Sequence, residues 1–265
     1  MSQQASYNNL TVLRDRHIAR LTFSRPDKAN ALNPAHLQDI EAATLSFRDD
    51  AETRVVIFTG AGKNFSAGAD LTDRTPAPQT LVERRRWLRQ GERTINAIFD
   101  MDQITIAAWN GAAMGGGACL ATAMDLRIGS EDCVMGYPEI DIGVNLMWKS
   151  LPLITHIVGP SPAKRLVVGG ERVPAATLLE WGVLEAVVPR DRLLEETQAW
   201  AERYASKAPV PAQMIKRSIN AISSALDPAV MHMDVDQHLL TMGSEDRRAA
   251  IKAYFSDEDP SFTGN

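Results

Sequence analysis

Apolar positions change period along this chain, and the changes mark its elements. Residues 10–13 and 18–23 cluster or alternate as short strands, with Asp15-Arg16 between them as the expected hairpin turn. Asn33-Pro34 then opens a helical pattern through Leu37, Ile40, Ala43 and Phe47 that ends at Asp49-Asp50. Asparagine caps an N-terminus well, and proline suits the first helical position. Residues 55–59 and 104–109 are continuous apolar runs of the kind expected of buried strands. Each leads into a glycine-bearing loop and then a helix. The first helix runs through Leu81, Leu88, Ile95 and Ile98, the second from about Gly116 to Met124. This alternation predicts an α/β fold of repeated ββα or βα units and not an antiparallel sandwich. From about Leu151 helical patterns dominate, over 162–168, 175–181, 193–208, 211–225, 231–242 and 245–255, with one late strand over 185–188. We therefore divide the chain into an α/β core, residues 1–208, and a helical C-terminal region, residues 209–265.

Composition narrows the classes. With 28 basic and 33 acidic residues the net charge is −5, which gives no reason to expect a nucleic-acid partner. Two cysteines, Cys119 and Cys133, form no disulfide framework and no zinc spacing, as suits a reducing compartment. The polar stretch 1–9 has neither an apolar signal region nor an Arg-rich amphipathic pattern, and no apolar run approaches the roughly 20 residues of a membrane span. The expectation is a cytoplasmic protein without a membrane partner.

The chemistry is carried by two small-residue loops. Asn64-Phe65-Ser66-Ala67-Gly68-Ala69-Asp70-Leu71 and Gly115-Gly116-Gly117 each follow a buried strand. Small residues let another molecule approach the backbone, so two such loops at strand ends could aim two N–H groups at one carbonyl oxygen. With Ser24-Arg25-Pro26-Asp27-Lys28-Ala29-Asn30-Ala31-Leu32, Asn110-Gly111-Ala112-Ala113-Met114, Asp125-Leu126-Arg127, Pro138-Glu139-Ile140, Ala163-Lys164-Arg165-Leu166, Glu180-Trp181-Gly182 and Pro260-Ser261-Phe262-Thr263-Gly264, the chain resembles the crotonase (enoyl-CoA hydratase/isomerase) superfamily in order and spacing. The resemblance implies a crotonase (ClpP-like) fold whose helical C-terminal part packs on neighbouring subunits in a homotrimer or dimer of trimers. It also implies an acyl-CoA thioester substrate, with coenzyme A as part of the substrate, no separate cofactor and no metal.

By position the resemblance assigns the oxyanion hole to the Ala69 and Gly116 amides, the latter favoured by its place at a helix start. It places Lys28, Ala29, Ala31, Ala67, Asp70 and Leu71 along the coenzyme A site. Hydratases of the family use two glutamates. Glu139 fills the second position, but the first is Cys119, a poor substitute at an ordinary thiol pKa and better read as a packed small residue. In retaining Glu139 alone the chain resembles delta-3, delta-2-enoyl-CoA isomerases most closely; some of these also carry a tryptophan shortly downstream, as Trp148 is here. One base between the α and γ carbons can move the proton both ways. Hydration of 2-enoyl-CoA is the alternative, and an acyl-CoA hydrolase or a non-catalytic binder a further one. Dienoyl-CoA isomerases need an aspartate where this chain has Met147, and Asp141 remains a spare acid.

Other patterns are read as structural. His232, Asp234, Asp236 and His238 fall on two adjacent helix faces, which argues against one metal centre and for a solvated or intersubunit polar face. Arg84-Arg85-Arg86 with Arg89 and Arg93 reads as a solvated helix face, with coenzyme A phosphates as the alternative. The loop over 72–79 is either a plain surface loop or a cover for the substrate site.

Overall fold

A computed structural model describes residues 3–76, 78–256 and 259–265. Met1 and Ser2 of the N-terminal stretch and Ala77 of the 72–79 loop lie outside the described residues, as do Asp257 and Glu258. The chain opens with β1 (Gln3–Ser6), β2 (Leu10–Asp15), β3 (Ile18–Phe23), α1 (Pro34–Leu45), β4 (Val55–Gly60) and α2 (Leu81–Phe99). There follow β5 (Ile104–Trp109), β6 (Ala112–Met114), α3 (Gly116–Thr122), β7 (Leu126–Ser130) and β8 (Val134–Gly136). Then come α4 (Ser150–Val158), α5 (Pro160–Val167), β9 (Val173–Pro174), α6 (Ala175–Glu180), β10 (Ala186–Val188) and α7 (Leu193–Ala205). The last region holds α8 (Pro209–Ser223), α9 (Asp227–Met231), α10 (Asp234–Met242) and α11 (Glu245–Ser256).

Seven strands form one mixed sheet in the order β1-β2-β3-β4-β5-β7-β10, antiparallel through β3 and parallel from there on. The continuous apolar runs reflect burial on both faces. Alternate residues Val56, Phe58, Ala107 and Trp109 join a large core with α1 and α3, while Val55, Ile57, Ile106 and Ala108 meet Leu193, Ala201 and Ala205 of α7 on the other side. Directly after β5 the chain turns at Gly111 (φ +68°) into a second, three-stranded sheet, β6-β8-β9. A side chain at Gly111 would stand 2.1 Å from the Lys63 carbonyl oxygen, so only glycine fits this crossing of the two loops.

Several expectations need correction. The hairpin turns at Arg16-His17, with Arg16 at φ +53°, because Asp15 already pairs with Ile18. β1 is an edge strand that the polar stretch 1–9 did not reveal. β7 was hidden by Arg127 and Gly129: Arg127 is 5% exposed, its charge met by Glu185 and by the carbonyls of Met124 and Val183. The stretch after Glu139 is a 3-10 turn, Ile140–Ile142, and not extended. The Asn33 side chain does cap α1, accepting from the His36 amide at 2.9 Å. Residues 209–265 divide in two: α8 runs along the outside, whereas α10 packs on α2 and α11 on the turn after Glu139.

Candidate active site

Three loops are fastened together around one cavity. Ser66 bridges to Ala113, its amide donating to the Ala112 carbonyl and its carbonyl accepting from the Met114 amide, each at 3.0 Å. Buried Asn30 donates to the carbonyls of Ala61 and Asn64 at 2.9 and 2.7 Å, and Ser66 Oγ donates to the Asn30 carbonyl at 2.9 Å. Arg25 completes the clasp, pairing with Asp70 Oδ2 at 2.8 Å and donating to the Ala31 carbonyl. The residues flanking the two glycine loops thus hold the backbone in place without occupying the space between.

The Ala69 and Gly116 amides face that space. A parallel bridge commits Leu32 N to the Gly68 carbonyl and Asp70 N to the Leu32 carbonyl, which leaves Ala69 N pointing the other way. Gly116 is the first residue of α3, whose first i+4 bond is made by Cys119 to the Gly115 carbonyl. Among the described residues neither the Ala69 nor the Gly116 amide donates a hydrogen bond to a backbone carbonyl. A side chain at Gly68 (φ +83°) would lie 2.4 Å from the Met114 carbonyl oxygen and 3.3 Å from Gly116 N, so the two loops approach to backbone contact. Because α3 has only seven residues, the amide itself, more than a long-helix dipole, is what the site offers.

The cavity below is about 370 Å³ and mostly apolar, lined by Leu32, Leu37, Leu88, Ile142, Val144, Leu146, Met147, Trp148 and Met242. Glu139 enters it beside Gly115, where any side chain would meet Glu139 Oε1 at 2.7 Å. Its Oε2 is buried without a hydrogen-bond partner. Burial raises its carboxyl pKa to about 7; a hydrogen bond from the backbone amide opposes the shift, and the charge of Asp141 adds to it. Cys119 lies in the same wall, 1% exposed, and burial with the nearby Glu139 charge holds its thiol well above the usual range. It is a protonated, packed thiol, as a small apolar residue would be. The other two cavity carboxylates are engaged: Asp70 by Arg25 and Thr72, Asp73 by Thr75.

Trp148 lines the cavity in a conformation that its neighbours impose. Trp148 and Lys149 both have positive φ, +67° and +55°, which is costly for residues with side chains. Asp234, 2% exposed at the start of α10, accepts from Lys149 N at 2.9 Å, and Lys149 Nζ reaches Glu92 of α2 at 2.9 Å. The indole then lies over Gly91 and Gly116: a side chain at either would come within 1.9 or 2.5 Å of the ring. Burial raises Asp234 to about 6, with the bond from the Lys149 backbone acting against it.

The predicted residues Ala69, Gly116, Glu139, Ala67, Asp70 and Leu71 therefore line one cavity, while Lys28, Ala29 and Ala31 do not. Lys28 is exposed at the end of a 3-10 turn, and Ala29 is tied to the site through its carbonyl, which accepts from Ala67 N at 2.9 Å. The 232–238 stretch is not wholly a solvated face, since Asp234 and His238 are buried. Arg85 of the arginine run is taken by Asp236 at 2.6 and 2.9 Å. Sequence reasoning missed Gly91, His238, Arg247 and Tyr254; only the fold brings α2, α10 and α11 to the cavity. Among the described residues no group of three or more His, Cys, Asp or Glu side chains could hold a metal, and no helix is long and apolar enough to cross a membrane.

Known proteins match this chain in sequence and in fold. The family model described as enoyl-CoA hydratase/isomerase matches residues 14–265. Crotonyl-CoA hydratase of Syntrophomonas wolfei is 29% identical over 259 residues, 97% of this chain and 98% of that protein. (E)-Benzylidenesuccinyl-CoA hydratase of Thauera aromatica is 30% identical over 252 residues, 94% and 96% of the two chains. The crystal structure of an enoyl-CoA hydratase from Mycobacterium avium superposes with a TM-score of 0.87 at 26% identity, covering 97% of this chain and 100% of that one. The matches span both the two amide loops and the helical C-terminal region, so the chain belongs to the enoyl-CoA hydratase/isomerase family and has the crotonase fold.

Proposed function

We propose that this acyl-CoA enzyme moves a double bond from the β,γ to the α,β position of an enoyl-CoA thioester, with Glu139 as its one acid–base group. The thioester oxygen would sit between the Ala69 and Gly116 amides. Glu139 would take a proton from the α carbon, the electrons would pass into a dienolate held by the two amides, and Glu139 would return the proton to the γ carbon. The observation that carries this reading is the contrast within the cavity. One carboxyl has a buried, unpartnered oxygen and a pKa near neutrality, while position 119 supplies only a buried thiol. Lys28, Ala29 and Ala31 would contact the coenzyme A moiety at the rim, with Ala67, Asp70 and Leu71 along its course.

Hydration is the second reading, and the comparisons weigh toward it, because the relatives named above are hydratases. It would ask Glu139 alone to orient water for attack on the β carbon and to manage the proton delivered to the α carbon. Glu139→Gln tests the shared core of both readings: turnover should fall about 10²- to 10⁴-fold, the usual weight of a general base, with the dissociation constant of a saturated acyl-CoA little changed. Unchanged turnover would remove Glu139 from the chemistry.

The same reading includes a homotrimer or paired trimers. Ile215, Ile219, Ile222 and Leu226 follow one another at helical spacing along α8 and just past its end, and each is more than half exposed in the single chain.

A further inference from the structure

Arg247 of α11 stands in the cavity wall with no counter-charge among the described residues. Its backbone is fixed: the Arg247 amide donates to Ser244 Oγ at 3.0 Å, and its α carbon lies 2.7 Å from where a side chain at Gly143 would stand. Gly143 (φ +69°) ends the turn that begins at Glu139, so Arg247 is seated against the reacting side of the cavity. Its Nε is buried without a hydrogen-bond partner, and among the described residues its guanidinium makes no ion pair. Ile142, Met242, Tyr254 and His238 line the same cavity, and His238 lies near enough to feel the Arg247 charge. His238 offers Arg247 no negative charge in either protonation state; its Nδ1 faces the Asn145 carbonyl at 3.1 Å, and burial, with the Arg247 charge, lowers its pKa. An unpaired charge among apolar side chains is costly, and an opposite charge brought by a ligand would relieve that cost.

We propose that Arg247 recognises a carboxylate at the far end of the acyl group, so that the substrate class is the thioester of coenzyme A with a dicarboxylic acid. This rests on the acyl-CoA reading of the cavity but on neither reaction. The guanidinium fork holds a carboxylate by donating two parallel N–H···O bonds, and the mostly apolar cavity strengthens them. The phosphates of coenzyme A are the other anion available. Their rim is the Lys28 to Ala31 loop, which does not line the cavity, whereas Arg247 leans on the turn that carries Glu139.

The test is calorimetric binding of glutaryl-CoA against pentanoyl-CoA, both saturated and unreactive, with free coenzyme A as a third probe. The wild-type protein should bind glutaryl-CoA about 10- to 100-fold more tightly than pentanoyl-CoA, the range for a charge-assisted pair. Arg247→Met should abolish the ratio, and Arg247→Lys should restore part of it. The proposal is overturned if the wild type shows no preference, if the preference survives Arg247→Met, or if that variant weakens free coenzyme A as much as glutaryl-CoA. The expected preference for glutaryl-CoA in a protein that turns over neither a 3-enoyl-CoA nor a 2-enoyl-CoA would defeat the reactions proposed above and leave this one standing; binding of neither ester would overturn both.

Discussion

At Glu139 the cost of burying a carboxyl becomes a predicted pH dependence. In the folded chain its pKa is raised from 4.5 to about 7, so ionising it disfavours the folded state. Between those values the folded chain holds more protons than the unfolded one, and stability should fall as pH rises through the window. Asp234, raised from 3.8 to about 6, acts in the same sense over a lower window. Glu139→Gln should therefore gain stability relative to wild type between pH 5 and 8, by no more than about 3 kcal/mol; thermal melts at both pH values check it. Activity runs the other way: a base must be ionised, so kcat/KM should drop about tenfold per pH unit below about 7. A flat profile would show that another group abstracts the proton. Cys119→Ala should lower turnover by only a few-fold, whereas Cys119→Glu should raise hydration of a 2-enoyl-CoA if the missing carboxylate is what limits it. Glu139 and Cys119 were legible in the sequence because short motifs fix them. Arg247 and His238 were not, since no local pattern distinguishes a cavity-facing arginine or histidine from a solvated one.

At the scale of elements, the side chain of Trp148 sits where α2 and α3 approach each other, and α10 fixes its backbone. Trp148 fills the gap left by Gly91 and Gly116 and is held at positive φ through Asp234. Gly91→Ala would place a methyl group 1.9 Å from the indole, so the ring must move and the acyl wall with it. Overpacking of this kind costs about 1–3 kcal/mol, read as a lower Tm together with a raised KM for the enoyl ester; a variant with wild-type values would show the wall to be soft. The strands and helices that carry the site were readable from periodicity alone, 55–59 and 104–109 above all, because both sheet faces are buried. β7 and β8 were not, as Arg127, Gly129 and Gly136 break the apolar pattern where neighbouring chain supplies the compensation. The glycines of α3 were visible and Gly91 of α2 was not, because its reason, a tryptophan from a distant turn, belongs to tertiary structure.

At the scale of the molecule, the C-terminal region has two expected tasks. α10 and α11 line the cavity through His238, Met242, Arg247 and Tyr254, while the apolar row on α8 remains exposed in one chain. Light scattering should give the mass of three or six chains, and Ile219→Glu should dissociate the assembly and lower its Tm; a wild-type monomer would contradict the proposed trimer. The central claim is chemical, and one spectrum tests it most directly: the near-ultraviolet absorbance of the conjugated enoyl thioester after mixing purified protein with a 3-enoyl-CoA and, separately, a 2-enoyl-CoA. Glu139 acting as a lone proton shuttle predicts a rise with the 3-enoyl ester and little change with the 2-enoyl ester. A fall with the 2-enoyl ester and no rise with the other would contradict it, and would mean that this cavity adds water with a single carboxylate.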